Sequence, residues 1–266
     1  MNEHADCMKN PTSSSPADER PPGRSDDNGG VSLDALLGGR VRLLQPRQGL
    51  RAAIDPVLLA ASIPALAGEH VLEVGCGSGA AALCLAARVA DVHIVGLDVQ
   101  ADLIALASES AELNDRADRL SFVAGDLLVP PAAVTDAPFD HVMANPPFAR
   151  AGQGRVSPDP ARALASVEGE AKLAAWVAFC AGCMKDSGTI TFIHRADRAA
   201  EVATAFADAG LAATILPLGT RRVLVRGNKT GHGTVTYLSV LDLHETDGAF
   251  TPLAEAILRN AHPLVI

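Results

Sequence analysis

The segment Val71-Leu-Glu-Val-Gly-Cys-Gly-Ser-Gly79 places Gly75, Gly77 and Gly79 where an apolar run gives way to a helical pattern. Glycine there lets the backbone turn tightly and approach a ligand closely, and the helix that opens next offers N–H groups to it. Taken alone, Gly75, Gly77 and Ala80 also fit the dinucleotide pattern G-x-G-x-x-G/A. Two carboxylates turn the reading away from a nicotinamide dinucleotide. Glu73 precedes the first glycine by two residues, where a carboxylate suits a cationic amino group better than a pyrophosphate, and Asp126, after Gly125, is placed to accept the amine of an adenine. Asp98, 19 positions after Gly79, suits ribose hydroxyls in either reading.

A second segment, Phe139-Asp-His-Val-Met-Ala-Asn-Pro-Pro-Phe148, runs from a strand pattern straight into Asn145, Pro146, Pro147 and Phe148. Two prolines fix the backbone and remove two N–H donors, so the local carbonyls face outward without internal competition. An exocyclic adenine amine is a poor nucleophile because its lone pair is delocalised into the ring. The Asn145 side-chain oxygen and the Pro146 carbonyl are suited to accept one amine hydrogen each, which favours a pyramidal nitrogen, while Phe148 is suited to stack on the base. An isolated Asn-Pro-Pro would read as a rigid turn; at the end of a fourth strand, beside a ligand-binding turn, it reads as a site.

These residues need elements that bring them to one end of a sheet. Apolar runs over 70–75, 92–98, 120–124, 139–144 and 189–194 predict strands covered on both faces, and amphipathic runs over 79–89, 101–114, 170–185 and 196–209 predict helices between them. The alternation predicts a parallel sheet with helices on both sides. After Gly210 the rhythm breaks: 213–218, 223–226 and 235–243 read as strands without a long helix between them, most simply an antiparallel hairpin at the sheet edge. Thr251-Pro252 opens a final helix to about 259. Upstream, 40–51 reads as a small hairpin or extended segment, and Asp55-Pro56 as an N-cap acid and proline leading into a helix to 65.

Of 266 residues, 48% are hydrophobic but only nine are aromatic, so Ala, Val and Leu must fill the core. A formal charge of −9 argues against non-specific coating of nucleic acid, because that affinity comes from cations displacing counterions. Residues 1–32, rich in Ser, Pro, Gly and Asp, predict a disordered tail that carries −3 of this charge, leaving 33–266 as one domain. Within that domain Arg40, Arg42, Arg47 and Arg51 occur with no acid between them, and Arg221, Arg222, Arg226 and Lys229 lie in an acid-free stretch; both clusters are candidate phosphate contacts. The longest uncharged run, residues 74–87, is too short to cross a bilayer. Five cysteines, an odd number, without an apolar leader segment imply a reduced, cytoplasmic protein, and the single C-x-x-C at Cys180 and Cys183 lacks the further ligands of a zinc site. No metal is expected.

The glycine string with Glu73 resembles the first motif of class I S-adenosylmethionine methyltransferases, and Asp98 and Asp126 fall where that superfamily's second and third cofactor motifs lie. The resemblance implies an α/β, Rossmann-like class I methyltransferase fold: a mostly parallel seven-stranded sheet with an antiparallel edge hairpin and helices on both faces. It implies S-adenosylmethionine as cofactor, with Glu73 near its methionine end, Gly75, Cys76, Gly77 and Gly79 packed against it, Asp98 and Val99 at the ribose, and Asp126 and Leu127 at the adenine. Asn145-Pro-Pro-Phe148 resembles the motif of methyltransferases acting on planar amines, either adenine N6 or a glutamine side-chain amide. The segment 36–59, together with Ser157-Pro-Asp-Pro-Ala-Arg162, Val167-Glu-Gly-Glu170, Ile193-His-Arg-Ala-Asp197 and Arg222-Val-Leu-Val-Arg226, is similar to bacterial tRNA-Val (adenine-N6)-methyltransferases. In that family the residue matching Asp55 opens a helix bordering the cofactor pocket, and residues 33–66 would cover cofactor and substrate. The expected partner is RNA, foremost the tRNA adenine 3′ of the anticodon. An adenine of ribosomal RNA, a glutamine of a translation factor, and a cofactor-binding protein without catalysis are the rivals. No large insert offers a DNA-reading module, and a splayed loop base suits a one-domain enzyme. Phe148 in place of tyrosine, together with the arginine clusters, favours RNA.

Overall fold

The computed structural model describes residues 30–48, 51–148, 169–231 and 233–266. Residues 1–29 of the expected tail, and segments 157–162 and 167–168 of the resemblance, lie outside them. Val31 and Ser32, expected in the tail, open strand β1 (Val31–Leu36), which pairs antiparallel with β2 (Val41–Pro46), Val31 opposite Pro46.

The main sheet has eight strands: β3 (His70–Val74), β4 (His93–Asp98), β5 (Leu120–Ala124), β6 (Phe139–Ala144), β7 (Met184–Arg195), β8 (Ala212–Leu218), β9 (Arg222–Asn228) and β10 (Val235–Tyr237). Their spatial order is β10-β8-β9-β7-β6-β3-β4-β5, and β9 alone runs against its neighbours. The class I methyltransferase architecture is as expected, with two corrections. The hairpin β8–β9 inserts β9 beside β7, so the sheet edge is an eighth strand, β10, parallel to β8. β10 keeps only three residues of the expected 235–243, because beyond Tyr237 the chain follows β8 by scattered bonds, such as Leu241 N–H to the Pro217 carbonyl at 2.9 Å, rather than as a ladder.

Helices α1 (Asp55–Ser62), α2 (Ala80–Arg88), α3 (Ala101–Leu113) and α6 (Pro252–Asn260) lie on one face, with α4 (Leu173–Cys183) and α5 (Ala199–Asp208) on the other. α2 buries seven residues, mostly alanine, so it approaches α1 and the sheet closely where larger side chains would hold it off. α4 is shorter than expected and β7 longer. The strand expected from 189 already starts at Met184, and Gly188 lets it pass a register shift against β6, where a Cβ would stand 2.6 Å from the Asp140 carbonyl oxygen. A 3-10 turn over Ala196–Arg198 precedes α5, where a helix was expected from 196. Among the described residues no helix is long and apolar enough to cross a membrane.

Candidate active site

The C-terminal ends of β3, β4, β5 and β6 converge on one cavity of about 560 Å³, a size suited to a nucleoside-sized ligand with room beside it. Glu73, Gly75, Cys76, Gly77, Asp98, Val99, Asp126, Leu127, Asn145, Pro147, Phe148 and Asp55 line it. Parallel strands present their ends to one rim, so residues from 55 to 148 in sequence meet there.

The glycine turn has physical reasons at each position. Gly75, at φ +71°, gives its N–H to the Leu97 carbonyl (2.7 Å), and a Cβ on it would stand 2.7 Å from the Trp176 ring. Gly77, at φ +54°, donates its N–H to Asp98 Oδ2 (2.8 Å). Gly79 differs from expectation: it does not line the cavity. At φ +81°, a Cβ on it would stand 3.0 Å from the Phe122 ring and 3.1 Å from Ala107 Cβ, so its role is close helix–strand packing.

Both Asp98 oxygens accept backbone N–H groups, from Gly77 and from Gln100 (2.9 Å), so this carboxylate ties the glycine turn to the end of β4 while facing the cavity. Burial pushes its pKa up. Glu73 lies beneath the turn, 4% exposed, accepting the Ala82 N–H at 2.9 Å. Burial, opposed in part by that hydrogen bond and helped by the nearby Asp98 charge, pushes its pKa up to about 8. A cationic group lodged beside Glu73 would relieve that cost. Asp126 accepts the Leu128 N–H at 2.9 Å and closes the far end of the cavity. This donor set fits S-adenosylmethionine: two buried acids for the ammonium and ribose, an apolar slot with a terminal acid for the adenine.

Asn145 stands at the end of β6, and its side-chain Oδ1 is buried with no hydrogen-bond partner among the described residues. A buried carbonyl oxygen left unmatched costs about 1–3 kcal/mol, so this atom is an acceptor waiting for a donor. Pro146, expected to contribute, is buried and off the cavity lining, while Pro147 and Phe148 line it. Asp55 is not the N-cap expected: Ile54 is, without a side-chain cap bond, and the Asp55 carboxylate instead receives Arg222 Nε at 2.8 Å.

The two arginine clusters do not form one patch. Arg51 lines the cavity but is held by Asp34 (2.5 Å) and Ser32 (2.8 Å) of β1. Arg42 binds the Leu113 carbonyl at the far end of α3 (3.4 Å), and Arg40 the Asn260 carbonyl (2.9 Å). Because α3 starts at the cavity, where Gln100 and Leu103 lie, its length sets Arg42 about 20 Å away. Arg47 is exposed at the end of the hairpin. Arg222 lines the cavity and Arg221 beside it is exposed. Arg226 is no surface contact: it is mostly buried, bonded to the Ser62 and Ile266 carbonyls, and its pKa is pushed down to about 10 by burial and by Arg88. Lys229 holds Asp186 (2.9 Å) and the Met184 carbonyl (3.1 Å). Sequence reasoning missed Trp176, the only tryptophan, which walls the cavity from α4; no spacing signals it. Among the described residues no group of three or more His, Cys, Asp or Glu could hold a metal ion.

A family model described as methyltransferase small domain matches residues 53–163. The chain is 29% identical over 217 residues to a protein of Aeromonas hydrophila subsp. hydrophila named tRNA1(Val) (adenine(37)-N6)-methyltransferase, spanning 77% of this chain and 87% of that one. A protein of the same name from Aeromonas salmonicida is 30% identical over 166 residues, 61% of this chain and 66% of its own. The release factor glutamine methyltransferase of Chlorobaculum tepidum is 32% identical over 113 residues, 40% of this chain and 38% of its own. Among solved structures, a predicted O-methyltransferase of Agrobacterium tumefaciens, protein Atu636, superposes with a TM-score of 0.62 at 24% identity, over 80% of this chain and 99% of that one, a likeness of fold.

Proposed function

The chain belongs to the class I S-adenosylmethionine-dependent methyltransferases, and from that premise we propose that it methylates the exocyclic N6 amine of an adenine in RNA, foremost the tRNA adenine 3′ of the anticodon. The observation that carries this reading is the buried, unpartnered Asn145 Oδ1 on the cavity wall, three residues before Phe148. The cofactor, when bound, supplies an electrophilic methyl group on a sulfonium. Glu73 holds its cationic end, Asp98 its ribose and Asp126 its adenine, and Trp176 closes the slot over Gly75. Asn145 accepts a hydrogen of the target amine, so the lone pair turns toward the methyl carbon. Phe148 fixes the plane of the base. The amine nitrogen would gain the methyl carbon as the S–CH3 bond breaks, the electron pair staying on sulfur as a neutral thioether and the positive charge passing to nitrogen, which then loses a proton to water, so no strong base is needed before transfer. Among the described residues Arg51, which lines the cavity, and Arg221, exposed beside the cavity-lining Arg222, are the candidate contacts to RNA.

Two of the relatives named above are tRNA adenine-N6-methyltransferases, and this supports RNA over a protein amide. Incubation of the enzyme with methyl-labelled cofactor and separate pools of tRNA, ribosomal RNA and protein, taken from cells lacking the gene, tests the reading. Label is expected in tRNA as N6-methyladenine; label confined to ribosomal RNA would overturn the tRNA assignment, and label confined to protein would overturn the RNA reading altogether.

A further inference from the structure

The stretches Ile193–Asp197 and Arg222–Arg226 carry no chemistry of their own in sequence, yet both come together around Phe148. The Arg222 guanidinium carbon stands 4.8 Å from the centroid of the Phe148 ring, over its face. His194, fully buried at the end of β7, meets the same ring in a T-shaped contact with centroids 5.3 Å apart. Arg198 Nη1 holds the Phe148 carbonyl at 3.2 Å. Arg222 is itself fixed by Nε to Asp55 at 2.8 Å, and the pair is largely shielded, with side-chain exposures of 29% and 13%. The residues are 167 positions apart, so this link ties α1 to the start of β9 across the cavity mouth.

From this arrangement we propose that Arg222 is a positioning residue: with Asp55 as its anchor it holds the Phe148 ring in the plane the target base must meet, and it acts through that ring rather than on a phosphate. The proposal rests on the adenine reading for what Phe148 faces, and the placement of Phe148 stands without it. A guanidinium is suited to this work, because it is planar, keeps its charge, stacks on a ring face and still offers an edge to a carboxylate. A lysine has the charge without the plane. His194 adds a neutral wall: its Nδ1 accepts the Arg195 N–H at 2.9 Å, and burial with the nearby Arg198 charge pushes its pKa down to about 4, so it brings no second cation to the ring.

The test combines Asp55→Asn, Arg222→Lys, Arg222→Ala and the double variant Asp55→Asn/Arg222→Ala. Each single variant is expected to lower kcat about tenfold with cofactor affinity, read by Trp176 fluorescence, within about twofold, and the double variant to lose no more than the worse single one. The slope of substrate KM against salt is expected to stay as in the wild type. If Arg222→Lys restores kcat, or if Arg222→Ala flattens the salt slope by about one phosphate's worth, Arg222 is a phosphate contact and the proposal fails. A second measurement needs no substrate. The Arg222 Nε–H resonance, identified by its loss in Arg222→Lys, is expected to exchange slowly and to move by ring current when Phe148 is changed to Leu. An Nε–H that exchanges freely, or that ignores Phe148→Leu, overturns the proposal even if label enters tRNA; a correct resonance with label only in protein sinks the adenine reading and leaves the positioning role in place, with the kinetic cycle then run on that protein.

Discussion

Replacing Glu73 by Gln should stabilise the empty protein and weaken its hold on the cofactor, each with its own pH dependence. Burial raises the Glu73 carboxyl from 4.5 to about 8. Since the folded value lies above the unfolded one, the chain must take up a proton to fold between those limits. No stability is lost below pH 4.5; the loss grows as pH rises toward 8 and levels off above it. At pH 7 it amounts to roughly 3 kcal/mol, and its ceiling above pH 8 is roughly 5 kcal/mol. Glutamine keeps an acceptor for the Ala82 N–H, which Glu73 bonds at 2.9 Å, and has no proton to take up. The Tm of Glu73→Gln should therefore equal that of the wild type near pH 4.5 and exceed it at pH 7, by on the order of 5–10 °C. A bound cation reverses the balance, because the carboxylate then ionises and pairs with it. Wild-type cofactor affinity should tighten as pH rises to 8 with release of a proton, whereas the glutamine variant should bind at least tenfold more weakly and keep only the milder pH dependence of Asp98. Calorimetry across pH 4.5–8.5 and quenching of Trp176, the single tryptophan and a cavity-lining residue, read the two effects. Tm curves that run parallel across that range would refute the reasoning, since they would mean that Glu73 is not buried as a protonated acid.

Asn145→Ala removes a buried acceptor that has no partner among the described residues, so turnover should fall by about two or more orders of magnitude while cofactor affinity holds and Tm is unchanged or slightly higher; a Tm loss of several degrees would show that the oxygen is already bonded. Gly75→Ala drives a methyl group into the Trp176 ring at a residue with φ +71°, and should weaken cofactor binding tenfold or more and lower stability by about 1–3 kcal/mol, measured by titration and thermal melting. Arg226→Met strands the Ser62 and Ile266 carbonyls and should cost about 2 kcal/mol of stability by denaturant titration, with the salt dependence of RNA binding untouched. Arg221→Ala, at an exposed cation beside the mouth, should do the opposite: stability kept, RNA KM raised, and the salt slope reduced by about one.

How far a residue's role could be read from sequence follows from how far away its partner is. Glu73 meets its partner Ala82 nine residues on, and the positive φ of Gly75 and Gly77 is a demand of their own backbone, so the turn, the strand before it and the buried acid are all where local chemistry puts them. The strand at 120–124 was legible for the same reason, a short apolar run between Arg119 and Gly125-Asp126, and the one at 139–144 from its apolar end running into Asn145-Pro146. Gly79 shows the limit within a motif: its spacing is that of a ligand contact, but Phe122 and Ala107, which arrive from later elements, make it a packing residue. The cations depart furthest from their sequence pattern, because an acid-free stretch says only that no acid is adjacent along the chain. In the fold Arg222 finds Asp55 from α1, Arg51 finds Asp34 across the hairpin, Lys229 finds Asp186, and Arg226 turns inward to two carbonyls. Those two clusters of four thus leave a smaller basic surface near the cavity than their sequence pattern suggests. With so few free cations among the described residues near the cavity, recognition of an RNA leans on the shape of a loop and on one base brought against Phe148, which makes the orientation of that ring, and the Asp55–Arg222 pair that sets it, matter more than the net charge of the chain.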